Sequence, residues 1–137
     1  MSKDIKLAFV VHRPPYKSEN PRLGATHAMS YQTVEILLED GQTVTPTLCY
    51  VGDGVLNCLN NQKAMELYGV TSIETHIKNC LLVDMDVLVC KEDLEKFGIS
   101  ESRITDAEDM GADKKLQIVP YSEIKKTIDT ANHLLFF

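Results

Sequence analysis

The feature that most constrains this chain is the repeated change in its hydrophobic period. Compact apolar runs such as "IKLAFVV" (Ile5 to Val11) give way to stretches with helical spacing, then return. A compact run of this length suits a strand buried on both faces, whereas apolar residues three and four apart suit a helix with one face covered. The pattern recurs in "TVTPTLCYV" (Thr43 to Val51), "DVLVC" (Asp86 to Cys90), "LQIVP" (Leu116 to Pro120) and "HLLFF" (His133 to Phe137), with helix-like sequence between. Strands alternating with helices predict βαβ units. The expected fold is therefore α/β: three layers, α/β/α, with a mostly parallel sheet of about five strands. The 137 residues fit a single domain, 1–137, large enough to bury its own core.

The connections carry their own signals. "HRPPYKSENPRLG" (His12 to Gly24) contains three prolines and reads as a long loop. Ala25 to Gly41 reads as a helix, with Ala28, Tyr31, Val34, Ile36, Leu37 and Leu38 near one face and Gly41 as its stop. Pro46 puts the first half of the second strand at an edge or outside the ladder. "GDG" (Gly52 to Gly54) is a tight turn, and Asp53 is placed to cap the next helix. "VLNCLNN" and "QKAMELYGV" read as helical, the second closing at Gly69. Ser72 to Asp84 fits either one helix or a strand followed by a helix. "KEDLEKFGI" is a short helix, and "YSEIKKTIDTAN" a longer one with Ile124 and Ile128 four apart. The polar stretches 12–24 and 103–115 are the expected variable or partner-facing parts.

Composition narrows the function. The formal charge is −6, which argues against direct contact with a nucleic-acid backbone. No apolar run approaches the roughly 20 residues of a membrane span. "MSKDIKLAFVV" lacks the long apolar segment and small-residue cleavage site of a signal peptide, so a cytoplasmic location is expected. The cysteines are Cys49, Cys58, Cys80 and Cys90. None forms a CxxC pair, and no His or Cys pair has zinc-finger spacing, so neither disulfides nor a metal are expected.

In an open α/β sheet, ligands gather at the carboxyl ends of strands. The loop after the first strand, the GDG turn after the second and Cys90 all fall there. Cys90 has two readings. As a small hydrophobe it would end a buried strand. As a functional thiol it would sit near the N–H groups of a following helix, with Lys91 favouring the thiolate and Glu92 and Asp93 opposing it. Cys49 lies within an apolar strand and reads as inert core. Cys58 and Cys80 lean the same way. Gly52, Asp53 and Gly54 could bring backbone close to an anion, although the turn is neither a P-loop nor a dinucleotide fingerprint. His12 and His27 flank the proline-rich loop, where either could act as acid, base or thiolate partner, against the commoner fate of a solvated side chain. No serine-hydrolase pattern is present.

Several stretches together resemble the DsrE/DsrF-like family of sulfur-relay proteins. "KLAFVV" looks like its first strand, and "LCYVGDGVLNCL" like its second strand with the DGV turn. "VLVCKEDLEKFGIS" is similar to its strand, cysteine and short helix, and "LQIVPYSEIKKTIDTANHLLFF" looks like its closing βαβ segment. The likeness covers nearly the whole domain and rests on the order of these stretches. It implies a parallel five-stranded sheet between helices, and trimers or hexamers of like or paralogous subunits. It implies that Cys90 accepts persulfide sulfur from a donor protein and passes it to an acceptor, with no cofactor, from a partly exposed surface. His12 or His27 would assist from the first loop. The alternatives are a non-catalytic DsrF-like partner subunit of such a ring and a small-molecule-binding module built on the GDG turn.

Overall fold

The computed structural model describes residues 4–33 and 43–137. Among them a single sheet contains β1 (Asp4–Val11), β2 (Thr43–Tyr50), β3 (Asp86–Cys90), β4 (Gln117–Val119) and β5 (His133–Phe136). Its order is β4-β3-β2-β1-β5, and every neighbouring pair is parallel. The helices are α1 (Asn20–Thr33), α2 (Ala64–Tyr68), α3 (Ile73–Leu82), α4 (Lys91–Lys96) and α5 (Tyr121–Thr130). The chain steps from β1 to β4 in one direction, then α5 carries it back across the sheet to β5 beside β1. Right-handed crossovers therefore place α1 and α3, which pack together, on one face and α5 on the other. Phe9, Val11, Leu48, Tyr50, Val87 and Val89 are fully buried between these layers, as strands covered on both sides must be.

The first loop is shorter than its prolines suggest, because α1 begins at Asn20. Pro21 lies in the first turn, where the missing N–H has no intrahelical partner to lose. Gly24 is helical and buried: a Cβ there would lie 3.1 Å from the Phe137 ring and 3.2 Å from the Val11 side chain. The predicted continuation of this helix, with Val34, Ile36, Leu37, Leu38 and Gly41, lies outside the described residues. β2 is flanked by β1 along its whole length, whereas its ladder to β3 begins at Thr47, one residue past Pro46.

The segment after β2 is not an α-helix. Gly52–Cys58 forms 3-10 turns, and the chain is irregular from there to α2. Asn57 explains the break, since its Nδ2 donates to the Gly54 and Arg13 carbonyls, both at 2.9 Å. Such side-chain bonds compete with helix continuation. Asp53 makes no capping hydrogen bond. Residues 72–84 resolve as one helix, α3. The stretch 103–115 is tied down more firmly than its polarity suggests. Ile104, Thr105 and Ala107 are buried, and the Thr105 N–H donates to the Cys58 carbonyl at 2.8 Å.

Gly54 is where β1 and the β2 connection come closest. A Cβ at this position would fall 2.0 Å from the Val11 carbonyl oxygen, a backbone atom with nowhere to go. Gly52 differs, since its φ is +55° but the space around it is open. Gly54→Ala is therefore expected to cost ~3 kcal/mol or more, or to prevent folding. Gly52→Ala should cost about 1–2 kcal/mol from its left-handed backbone alone. Urea unfolding of the two variants checks the difference, and equal losses would contradict the close approach.

Candidate functional site

Cys90 is the last residue of β3, immediately before α4. β2 and β4 flank the strand on either side, and Leu94 from α4 and Ile104 join the same buried cluster. Cys90 is accordingly 1% exposed, not partly exposed. Its thiol donates to Glu92 Oε1 at 3.9 Å, a long contact even for sulfur. The same carboxylate oxygen accepts the Tyr121 N–H at 2.9 Å, at the first residue of α5. Glu92 thus joins the end of β3 to the start of α5, where a carboxylate is also favoured by the helix dipole.

The electrostatics run against a resting thiolate. Burial pushes the Cys90 thiol up to about 11. The Asp93 backbone N–H works in the other direction, but the Asp93 and Glu92 carboxylates add to the rise. Both acids lie in the first turn of α4, a helix of only six residues. Lys91 is exposed and makes no hydrogen bond or ion pair among the described residues. At neutral pH the thiol form therefore dominates more strongly than for a free cysteine.

The GDG turn belongs to this region but is not an open anion cradle. The Gly52 N–H donates to Asp93 Oδ2 at 2.6 Å, and the Gly54 N–H donates to the Val51 carbonyl at 2.9 Å. Gly54 faces the Val11 carbonyl, and Asp53 is exposed. The N–H groups of both glycines are already paired within the fold.

The two loop histidines go elsewhere. The His12 ring lies edge-on to Phe136 with centroids 6.3 Å apart, and the exposed His27 ring lies 6.1 Å from Phe137. Both therefore gather at β5, on the far side of β1 from Cys90. The ends of β1 and β3 are separated by β2, two strand spacings or about 10 Å. The remaining thiols are all buried. Burial pushes Cys49 and Cys80 up to about 12, and raises Cys58 as well. The Cys80 thiol donates to the Ala25 carbonyl at 3.7 Å.

Sequence spacing identifies the acidic neighbours of Cys90 but not the groups they hold. Glu92 and Asp93 each bond a backbone N–H far away in the chain, and nothing local signals either partner. Among the described residues no group of three or more His, Cys, Asp or Glu side chains could hold a metal ion. No helix there is long and apolar enough to cross a membrane.

The fold recurs in solved structures. The ychN protein from E. coli shares 21% identity with a TM-score of 0.72, over 97% of this chain and 99% of that one. A protein of unknown function from Methanobacterium thermoautotrophicum, MTH1491, shares 9% identity with a TM-score of 0.62, over 97% and 99%. A conserved protein of unknown function from Bacteroides thetaiotaomicron, BT1422, shares 14% identity with a TM-score of 0.56, over 96% and 94%. No curated protein sequence matches the chain. The sequence matches the DsrE/DsrF-like family over residues 6–137, nearly its full length, and the chain belongs to that family.

Proposed function

We propose that this protein takes part in sulfur relay, with Cys90 as the thiol that carries the sulfur. The observation behind this reading is the place of Cys90: the carboxyl end of a central strand in a DsrE/DsrF-like fold, at the turn into α4. The Cys90 thiolate attacks the outer sulfur of a persulfide on a donor protein. A new S–S bond forms at Cys90 while the donor S–S bond breaks, and the donor leaves as a thiolate that takes up the proton Cys90 gave up. An acceptor thiolate then attacks the outer sulfur on Cys90 and restores the original thiol. Electrons balance within the exchange, so no outside oxidant is needed. The partners are a protein donor, a protein acceptor and like or paralogous subunits in a trimeric or hexameric ring.

Burial shapes how such a thiol must work. With Cys90 closed off and held by Glu92, transfer requires the Glu92–Tyr121 contact to open towards the donor. The same burial favours a second reading, in which Cys90 is packing and the chain is a non-catalytic subunit beside a catalytic paralogue. Mass spectrometry of the reduced protein after treatment with a persulfide donor separates the two. One added sulfur mapped to Cys90, lost in Cys90→Ser, is the expected result. No added sulfur, with Cys90 shielded from alkylation in the folded protein, supports the packing role.

The thiol's raised pKa gives a second test. Its thiolate form grows as pH rises towards about 11, so folded-state alkylation of Cys90 should accelerate about tenfold per pH unit between 7 and 10. Glu92→Gln removes a negative charge beside the sulfur and should move that profile to lower pH. An unshifted profile would show that Glu92 does not act on the thiol.

A further inference from the structure

A cavity beside the first loop lies away from Cys90. Its volume is about 720 Å³, within the range that small-molecule sites occupy. Three separated segments enclose it: the end of the first loop with the first turn of α1, the turn between α2 and α3, and α3 itself. Its polar and aromatic lining includes Tyr16, Lys17, Glu19, Arg22, Tyr68 and His76.

Tyr16 is fixed in an unusual way. It holds a left-handed backbone, φ +66°, which costs a side-chain-bearing residue energy unless surrounding bonds hold it. Those bonds exist. The Ile73 N–H at the start of α3 donates to the Tyr16 hydroxyl at 3.0 Å, and the hydroxyl itself donates to the Gln62 side chain. The result is an immobilised ring on the cavity wall. Tyr68 stands beside it with centroids 5.8 Å apart and planes tilted by 40°, yet remains 64% exposed. The two rings offer a stacking surface that the protein itself leaves uncovered.

The polar side of the cavity carries a net positive charge. Lys17 and Arg22 are cationic, and Glu19, which pairs with Arg22, supplies only one negative charge against them. This local excess of positive charge occurs in a chain whose formal charge is −6. His76 Nε2 is buried and has no hydrogen-bond partner among the described residues, an uncommon state for a buried polar atom. Burial and the neighbouring Arg22 both lower the pKa of this imidazole. An anion between Arg22 and His76 would give the orphaned nitrogen a partner and reverse that electrostatic pressure.

We propose that this cavity binds a small molecule with a phosphate on a planar heteroaromatic ring system, the ring against Tyr16 and Tyr68 and the phosphate among Lys17, Arg22 and His76. None of these side chains touches Cys90, so the site stands or falls independently of sulfur transfer. Three donors on two segments of the same cavity suit the several acceptor oxygens of a phosphate better than a single carboxylate.

Calorimetric and NMR titration of the full chain with AMP, CMP and FMN tests the proposal, with inorganic phosphate and adenosine as separate arms. The expected result is saturable submillimolar binding of at least one aromatic phosphate, with movement of the His76 ring resonances. Arg22→Ala, His76→Gln and Tyr68→Ala should each weaken that binding about tenfold, while Cys90→Ser binds like the parent. Arg22 and Tyr68 are exposed, so their variants should keep the fold. Three results would overturn the proposal: no binding of any aromatic phosphate at millimolar concentration, binding that survives in Arg22→Ala and His76→Gln, or inorganic phosphate or adenosine binding as tightly as the nucleotides.

Discussion

The carbonyl oxygen of Val11 is the point on which the carboxyl end of the sheet is assembled. It accepts the Val51 N–H at 3.1 Å and occupies the space where any residue but glycine at position 54 would place its Cβ. Buried backbone groups must find partners, and here the partner lies across the strand pair, beyond the last residues of β1 and β2. From this contact the ties run outward. Gly52, one residue past Val51, donates its N–H to Asp93 in α4, and Glu92 beside it accepts the N–H of Tyr121 in α5. β1, the end of β2, α4 and α5 are thus joined by backbone N–H groups. Cys90 lies two residues before the first of the two acids that make the last joins, at the same carboxyl end of the sheet.

The architecture is legible because its signals are short-range. A run such as "DVLVC" has no helical period, and "KEDLEKFG" closes at Gly98, whose φ of +68° suits the residue that ends a helix. The boundaries that local signals misplace are those where tertiary neighbours override a residue's usual role. Pro21 reads as loop and is the first turn of a helix. Gly24 reads as a loop end and is a helical contact against Phe137. "VLNC" has helical spacing, but Asn57 turns its side chain onto backbone carbonyls and stops a helix from forming. The contacts of Gly24 with Phe137 and of Asn57 with the Arg13 carbonyl are not written in local spacing, because each partner lies dozens of residues away.

The same distinction explains the candidate thiol. Read along the chain, Cys90 has a helix after it and Lys91 to favour a thiolate, with Glu92 and Asp93 opposing it. In three dimensions Lys91 is exposed while Glu92 and Asp93 both act on the thiol, and the helix has only six residues. Desolvation then dominates, and the thiol is pushed up instead of down. Charge order in a sequence is a poor guide to charge at an atom, because strand and helix geometry decide which neighbour turns inwards. His12 and His27 follow the same logic. They flank one loop, but the return of the chain through α5 places β5 beside β1, and both rings settle against its aromatic end.

The proline-rich loop has a structural task that accounts for its composition. It must leave β1, pass the end of β2 and reach the start of α1, and on the way it is held at two points. Asn57 donates to the Arg13 carbonyl, and the Tyr16 hydroxyl accepts the first N–H of α3. Prolines at 14 and 15 restrict the free chain between those anchors, which lowers the entropy lost when the loop orders. The left-handed backbone at Tyr16 costs about 1–2 kcal/mol. Hydrogen bonds worth about 1 kcal/mol each, at Tyr16 and Asn57, are enough to offset it. A loop pinned in this way arches over the α2–α3 turn without filling the space beneath. The cavity at Tyr16 and His76 is therefore a consequence of how the first loop is tied to the start of the third helix.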